Sequence, residues 1–151
     1  MIKRRLPLGI QNFEELRTGN YLYVDKTDMA WEIANGDKYN FLSRPRRFGK
    51  SLLTSTLQCY FEGKKELFEG LKIMDLEKDW VKRPVIHFSM NLGGSDAETL
   101  KSYLSKSLTY YETVYGKEDS EKSLSDRFTG IIQRAYQQSG VQIAVLIDEY
   151  I

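Results

Sequence analysis

The stretch that decides the fold lies a third of the way along the chain, where residues 41–52 read FLSRPRRFGKSL. A short apolar run, Tyr39 to Leu42, precedes this basic loop, and an amphipathic helical pattern follows it. A glycine-containing loop between a strand and a helix lets backbone N–H groups converge on an anion at the positive end of the helix dipole. The stretch therefore predicts a nucleotide-binding loop made of Arg44, Pro45, Arg46, Arg47, Phe48, Gly49, Lys50, Ser51 and Leu52.

Each residue at the end of this loop has a chemical reason to be there. Gly49 allows the backbone to approach the phosphates, Lys50 would reach the β- and γ-phosphates as a catalytic cation, and the Ser51 hydroxyl would ligate Mg²⁺. The phosphate-loop consensus begins with glycine, whereas this sequence has Arg44 at that position. A basic surface loop that merely begins a helix remains the alternative interpretation of this stretch.

A second motif ends the sequence, where the apolar run Ala144 to Ile147 leads into Asp148 and Glu149. A strand would fix Asp148 at the carboxyl edge of a sheet, where it could hold Mg²⁺ through water, while Glu149 could polarise the attacking water. Ligands of open α/β sheets bind at that edge, so we expect both motifs to meet there. The alternative is a buried strand followed by an acidic turn.

Strand-like and helix-like hydrophobic patterns alternate along the chain. Short β-prone runs at 21–24, 39–42, 85–90 and 141–147 are separated by helical patterns, and this order predicts an α/β fold with a parallel sheet. We expect residues 1–38 to form a lead-in with a short strand and helix, and residues 39–151 to form the core.

Composition excludes several classes of function. The formal net charge is +1, so any attraction to nucleic acid must come from a local cluster such as the arginines of the loop. Cys59 and His87 are the single cysteine and histidine, which leaves no pattern for a disulfide or a zinc site. The longest apolar run, Ile143 to Ile147, is far too short to span a membrane. We expect a cytoplasmic protein.

Four stretches resemble the AAA-ATPase-like family: Leu8-Gly9-Ile10 with Phe13, then residues 23–27, 41–52 and 146–150. The resemblance implies a three-layer P-loop NTPase core in which residues 44–52 act as the Walker A loop and Asp148 and Glu149 close the Walker B strand. It implies ATP and Mg²⁺ as ligands, and a restriction-nuclease-like domain downstream. Arg44 is usual in that family. The resemblance also suggests that Asp25, Lys26 and Thr27 lie near the nucleotide.

The sequence departs from the family where it stops, at Ile151, soon after the Walker B strand. We therefore expect an incomplete core in which the strand 39–42 lacks a neighbour, and an unpaired sheet edge that favours self-association. The leading hypothesis is ATP binding, with hydrolysis in the intact protein and inefficient turnover in this chain. The alternatives are a nucleotide-dependent interaction switch and a nucleic-acid-binding module that uses the arginine loop.

Overall fold

The computed structural model describes residues 3–42, 49–90 and 96–148. Within these ranges the chain has a mixed α/β fold whose single sheet contains two parallel strands. The fold divides into two compact units, residues 1–82 and residues 83–151. No helix in the described ranges combines the length and the apolar character needed to cross a bilayer.

The first unit is helical. Its elements are α1 (Phe13–Thr18), α2 (Thr27–Asn35), α3 (Lys50–Phe61), a short 3₁₀ helix (Lys65–Phe68) and α4 (Ile73–Leu76). The sequence predicted α2, α3 and a short helix near Leu67, and the structure confirms them. The side chain of Asn12 starts α1 by accepting a hydrogen bond from the N–H of Glu15 at 3.0 Å, which satisfies one of the unpaired donors of the first turn.

Aromatic rings fill the core of this unit. The rings of Phe13 and Phe68 are both fully buried, and their centroids are 4.8 Å apart. At the margin of the core, the carboxylate of Glu77 accepts hydrogen bonds from the Tyr60 hydroxyl and from Nε1 of Trp31. Burial alone would raise the pKa of Glu77, but the hydrogen bonds from Tyr60, Trp31 and two backbone N–H groups hold the pKa below its usual range.

The second unit contains β1 (Val85–Ser89), α5 (Ala97–Tyr115), α6 (Leu124–Ser139) and β2 (Ala144–Asp148). The strands pair in parallel, with Val85 opposite Ala144 and Ser89 opposite Asp148. Each long helix begins at a polar cap. Asp96 accepts from the N–H of Thr99, and Ser123 accepts from the N–H of Asp126.

Two ion pairs fasten α5 and the segment after it to α6. Arg127 lies 2.6 Å from Glu112, and their side chains are 11% and 7% exposed. Arg134 contacts Glu121 through both terminal nitrogens, at 2.7 and 2.9 Å. Beneath these pairs lies the apolar core of the unit, formed by Ile86, Phe88, Leu108 and Ile131.

Two predicted strands are wrong. Residues 21–24 are not a strand, and Tyr21 forms an isolated bridge to Arg5 instead. Residues 39–42 also form no strand, and the side chains of Tyr39 and Phe41 are 84% and 88% exposed. An extended segment becomes a strand when a neighbour completes its hydrogen-bond ladder. Residues 39–42 have no such neighbour among the described residues.

Substituting Gly130 tests the close packing of α6 against Glu121. A Cβ atom at Gly130 would lie 1.8 Å from Oε2 of Glu121, whose carboxylate is held by Arg134. We expect Gly130→Ala to lower the free energy of unfolding by about 1 to 3 kcal/mol, because overpacking outweighs the gain of about 1 kcal/mol from helix propensity. Urea denaturation measures the change. Thr129→Ala, at the exposed neighbouring position, is the control and should be neutral or slightly stabilising; a stabilising Gly130→Ala would contradict the packing.

Candidate phosphate-binding site

The start of α3 is set by the backbone of Gly49. This residue has φ 77° and ψ 19°, the left-handed conformation, and the helix begins at the next residue, Lys50. Left-handed geometry costs an L-residue roughly 1 to 2 kcal/mol, so glycine is favoured here for a conformational reason. No atom lies within 4 Å of where a Cβ of Gly49 would stand, so the space beside this backbone is open in the described residues.

The N-terminus of α3 differs from those of α1, α2, α5 and α6 in the charge of its first turn. The first turns of α1, α2, α5 and α6 each contain an acidic residue, which offsets the positive end of the helix dipole. The first turn of α3 contains none, and no described side chain caps it. The first helical backbone bond runs from the N–H of Leu53 to the carbonyl of Gly49, at 2.9 Å. The backbone N–H groups of the first turn and the positive end of the dipole thus form an arrangement that suits an anion.

Contacts on the second and third turns hold α3 in place. The Ser55 hydroxyl oxygen accepts a hydrogen bond from the N–H of Phe13, at 2.9 Å, and so satisfies a donor at the start of α1. Thr56, 2% exposed, donates to the carbonyl of Leu52 at 2.7 Å. Sequence reasoning missed Ser55, because a serine on a helix shows no local sign of a partner 42 residues away.

Part of the predicted loop lies outside the described residues, namely Arg44, Pro45, Arg46, Arg47 and Phe48. Glu149, the predicted catalytic carboxylate, lies outside them as well. The structure does place Gly49, Lys50, Ser51 and Leu52 at the start of α3, with Lys50 to Leu52 partly buried and Gly49 exposed. The described portion of the predicted loop therefore begins a helix, as the sequence predicted.

Asp148 is the last residue of β2, in the second unit. Its carbonyl accepts a hydrogen bond from the N–H of Met90 at 2.7 Å, so the strand backbone fixes its position. Paired residues of parallel strands face the same side of the sheet, which places Asp148 beside Ser89 on the side that also carries His87. Burial lowers the pKa of His87, and the negative charge of Asp148 opposes part of that shift.

The remaining candidate for chemistry, Cys59, has structural surroundings. Cys59 is buried in the core of the first unit, and burial raises the pKa of its thiol to about 11, so the thiolate is scarce at neutral pH. Across the described ranges, no three His, Cys, Asp or Glu side chains lie close enough to hold a metal ion by themselves.

Asp25 and Thr27 join the start of α2 to the start of α4. One carboxylate oxygen of Asp25 accepts from the N–H and the hydroxyl of Thr27, at 2.9 and 2.6 Å, and the other accepts from the N–H of Lys72 at 2.8 Å. The Thr27 hydroxyl, fully buried, in turn accepts from the N–H of Ile73 at 3.1 Å. These contacts are a structural reason for an aspartate and a threonine at this spacing.

Comparison with known proteins adds a family and one relative. A family model described as "Predicted AAA-ATPase" matches residues 7–151. A protein of Azotobacter chroococcum mcd 1, described as "Uncharacterized protein in vnfD 5'region", is 40% identical over 153 residues, which are 99% of this chain and 30% of the relative. The chain thus spans under a third of that relative's length. No solved structure matches the chain significantly.

Two glycines with similar positive φ allow an effect of Gly49 on folding to be separated from a proposed effect on phosphate binding. Gly49 and Gly70 have φ of 77° and 80°, and neither has an atom within 4 Å of a built Cβ. We expect Gly49→Ala and Gly70→Ala each to cost about 1 kcal/mol of stability, from left-handed strain alone. Gly49→Ala should additionally weaken nucleotide affinity, measured by calorimetry. Equal nucleotide affinity in the two variants would show that Gly49 serves folding only.

The Asp25 junction predicts a pH dependence. Burial alone would raise the pKa of Asp25, but hydrogen bonds from Thr27 and Lys72 hold it below the usual range. A lowered pKa stabilises the fold above the unfolded pKa of about 3.9, and this stability is lost as pH falls through the folded pKa. Asp25→Asn should therefore cost about 1 to 2 kcal/mol near pH 7 in urea denaturation, and the difference from wild type should shrink toward about pH 3. Exposed Asp37, changed to Asn, is the control; a pH-independent difference for Asp25→Asn would contradict the assignment.

Proposed function

The chain belongs to the Predicted AAA-ATPase family, and from this membership we propose that it binds Mg-ATP with the loop ending at Gly49 and the N-terminus of α3. Membership by itself indicates nucleotide binding in general. The finer proposal names the triphosphate as the part that the first turn of α3 recognises, with Lys50 as the cation that contacts the β- and γ-phosphates.

The observation that carries the proposal is the N-terminus of α3. Among α1, α2, α3, α5 and α6, it is the helix whose first turn has neither an acidic side chain nor a side-chain cap from a described residue. It begins with a lysine directly after a left-handed glycine. A helix whose first turn carries a lysine and no acidic side chain is suited to a multiply charged anion.

The metal ligands are proposed from donor chemistry. Mg²⁺ prefers oxygen ligands and is usually held by one or two protein oxygens together with the phosphates of its substrate. The Ser51 hydroxyl and the Asp148 carboxylate are oxygens of the required kind, and we assign them as ligands, with Asp148 acting through water. The ion would supply charge neutralisation of the β- and γ-phosphates.

Hydrolysis is proposed for the whole protein, with Glu149 orienting the attacking water and the parallel sheet belonging to a three-layer P-loop core. The chain aligns with 30% of the Azotobacter relative, so the parts of such a protein that would stabilise the transition state have ample room outside the aligned region. Binding and turnover are therefore separate proposals with separate readouts.

Titration calorimetry with Mg²⁺ and a non-hydrolysable ATP analogue tests the binding proposal. We expect Lys50→Ala to weaken binding at least about tenfold, equivalent to about 1.4 kcal/mol, because it removes the cation at the phosphates. Lys65→Ala is the matched control: it removes the same charge from an exposed position in the same unit and should leave the affinity unchanged.

Two further measurements sharpen the result. Inorganic tripolyphosphate should compete with the analogue, because the proposed site recognises phosphate, and Lys50→Ala should weaken that competition in parallel. Equal analogue affinity in wild type and Lys50→Ala would refute the site, as would an equal loss in Lys65→Ala. Phosphate release by a longer relative, compared with its variant at the position of Glu149, reports on hydrolysis independently of binding.

A further inference from the structure

A chain of hydrogen bonds runs from the start of α1 to the first turn of α3 through the Ser55 hydroxyl. The hydroxyl oxygen accepts from the N–H of Phe13 at 2.9 Å, and it lies 2.9 Å from the carbonyl oxygen of Leu52 and 3.3 Å from that of Gln11. A serine hydroxyl has one hydrogen to donate and two lone pairs that accept. With its hydrogen on the nearer carbonyl, Ser55 joins a residue of the proposed phosphate-binding turn to the first residue of α1.

Phe13 is a rigid point of attachment for α3. Its ring is fully buried, and the ring centroid is 4.8 Å from that of Phe68 and 5.4 Å from that of Tyr23. Phe13 also begins α1, where the first N–H groups have no acceptor within the helix. The Ser55 oxygen supplies that acceptor, so the bond satisfies a main-chain donor and attaches α3 to a residue that the core fixes.

Core packing is concentrated on the second half of α3. The buried residues of this helix all lie in that half: Thr56, Leu57, Cys59 and Tyr60. Residues 50–55 are only partly buried. Packing therefore restrains the first turn less than the rest of the helix, and Ser55 lies at the boundary between the two halves.

We propose that Ser55 is a positioning residue for the nucleotide: its hydroxyl fixes the direction of the first-turn N–H groups of α3 and so raises the affinity for the triphosphate. This inference rests on the proposed function. Ser55 lies five residues after Lys50, about 8 Å along the helix, and acts through the turn rather than on the ligand. When only a fraction of the molecules hold the turn in the binding orientation, the apparent dissociation constant rises by the inverse of that fraction.

Titration calorimetry with Mg²⁺ and a non-hydrolysable ATP analogue tests this role, at a temperature where circular dichroism shows each variant to be folded. Ser55→Ala should weaken binding about three- to tenfold, because the turn loses its attachment to α1. Ser55→Thr keeps a hydroxyl that can bond a carbonyl of the preceding turn, and its affinity should stay within about twofold of wild type. Thr18→Ala is the matched control: it removes a hydroxyl whose bonds stay within α1, and it should bind as wild type does.

Amide exchange at Phe13 reports on the attachment itself. By linkage, a ligand that binds better when the turn is attached also stabilises the attachment. A saturating concentration of the analogue should therefore slow exchange of the Phe13 N–H in wild type and leave it unchanged in Ser55→Ala. The N–H of Glu15, which bonds the side chain of Asn12 at the same end of α1, is the internal control and should exchange at the same rate with and without the analogue.

The outcomes separate this inference from the proposed function. Weak binding by Lys50→Ala together with wild-type affinity in Ser55→Ala would leave the phosphate site standing and overturn the role of Ser55. Equal losses in Ser55→Ala and Ser55→Thr would overturn the assignment to the hydroxyl. An unchanged Phe13 exchange rate in analogue-bound wild type would overturn it even where Ser55→Ala does not fold. Equal affinity in wild type and Lys50→Ala would refute the phosphate site and this inference with it.

Discussion

The left-handed conformation of Gly49 sets the point at which α3 begins, and the orientation of the candidate phosphate site follows from it. A residue restricted to negative φ would be strained at that junction, so the turn that leads into the helix would have to move. The direction of the first turn then depends on the helix body, which the hydrogen bond from the N–H of Phe13 to Ser55 joins to α1. The first-turn N–H groups of α3 therefore keep a fixed direction relative to α1.

Local sequence patterns predicted α2, α3, α5 and α6 because the determinants of these helices are local, whereas the short helices α1 and α4 were not predicted. The apolar stripe of α3, the glycine before it and the polar caps of the long helices lie within a few residues of the element that each one defines. The same holds for β2, which covers residues 144–147 of the predicted run at 141–147 and extends to Asp148, and for the parallel pairing with β1. The start of α3 at Lys50, the described part of the candidate site, was predictable on the same grounds.

Long-range contacts account for the parts of the structure that local sequence patterns did not predict. Residues 39–42 have the composition of a strand, yet their state depends on a neighbour that no local pattern can supply. Folding brings together hydrogen-bond partners that are more than 40 residues apart in the sequence, namely Ser55 with Phe13 and Asp25 with Lys72. The hydrogen bonds from the N–H groups of His87 and Ser89 to the hydroxyls of Tyr111 and Tyr103 are of the same kind, because they join residues 24 and 14 positions apart that no local pattern links.

Two aspartates show why residue type alone does not separate folding from chemistry. The carboxylate of Asp25 accepts three hydrogen bonds from Thr27 and Lys72, which use most of its lone pairs and leave little capacity for a ligand. Asp148 is held by its backbone carbonyl instead, and its carboxylate accepts no hydrogen bond from any residue in the described ranges. The main chain of β2 therefore fixes the position of Asp148, whereas the junction at Asp25 depends on the side-chain oxygens. Both aspartates lie in stretches that resemble the family, and hydrogen bonds between described residues give the carboxylate of Asp25 a structural role.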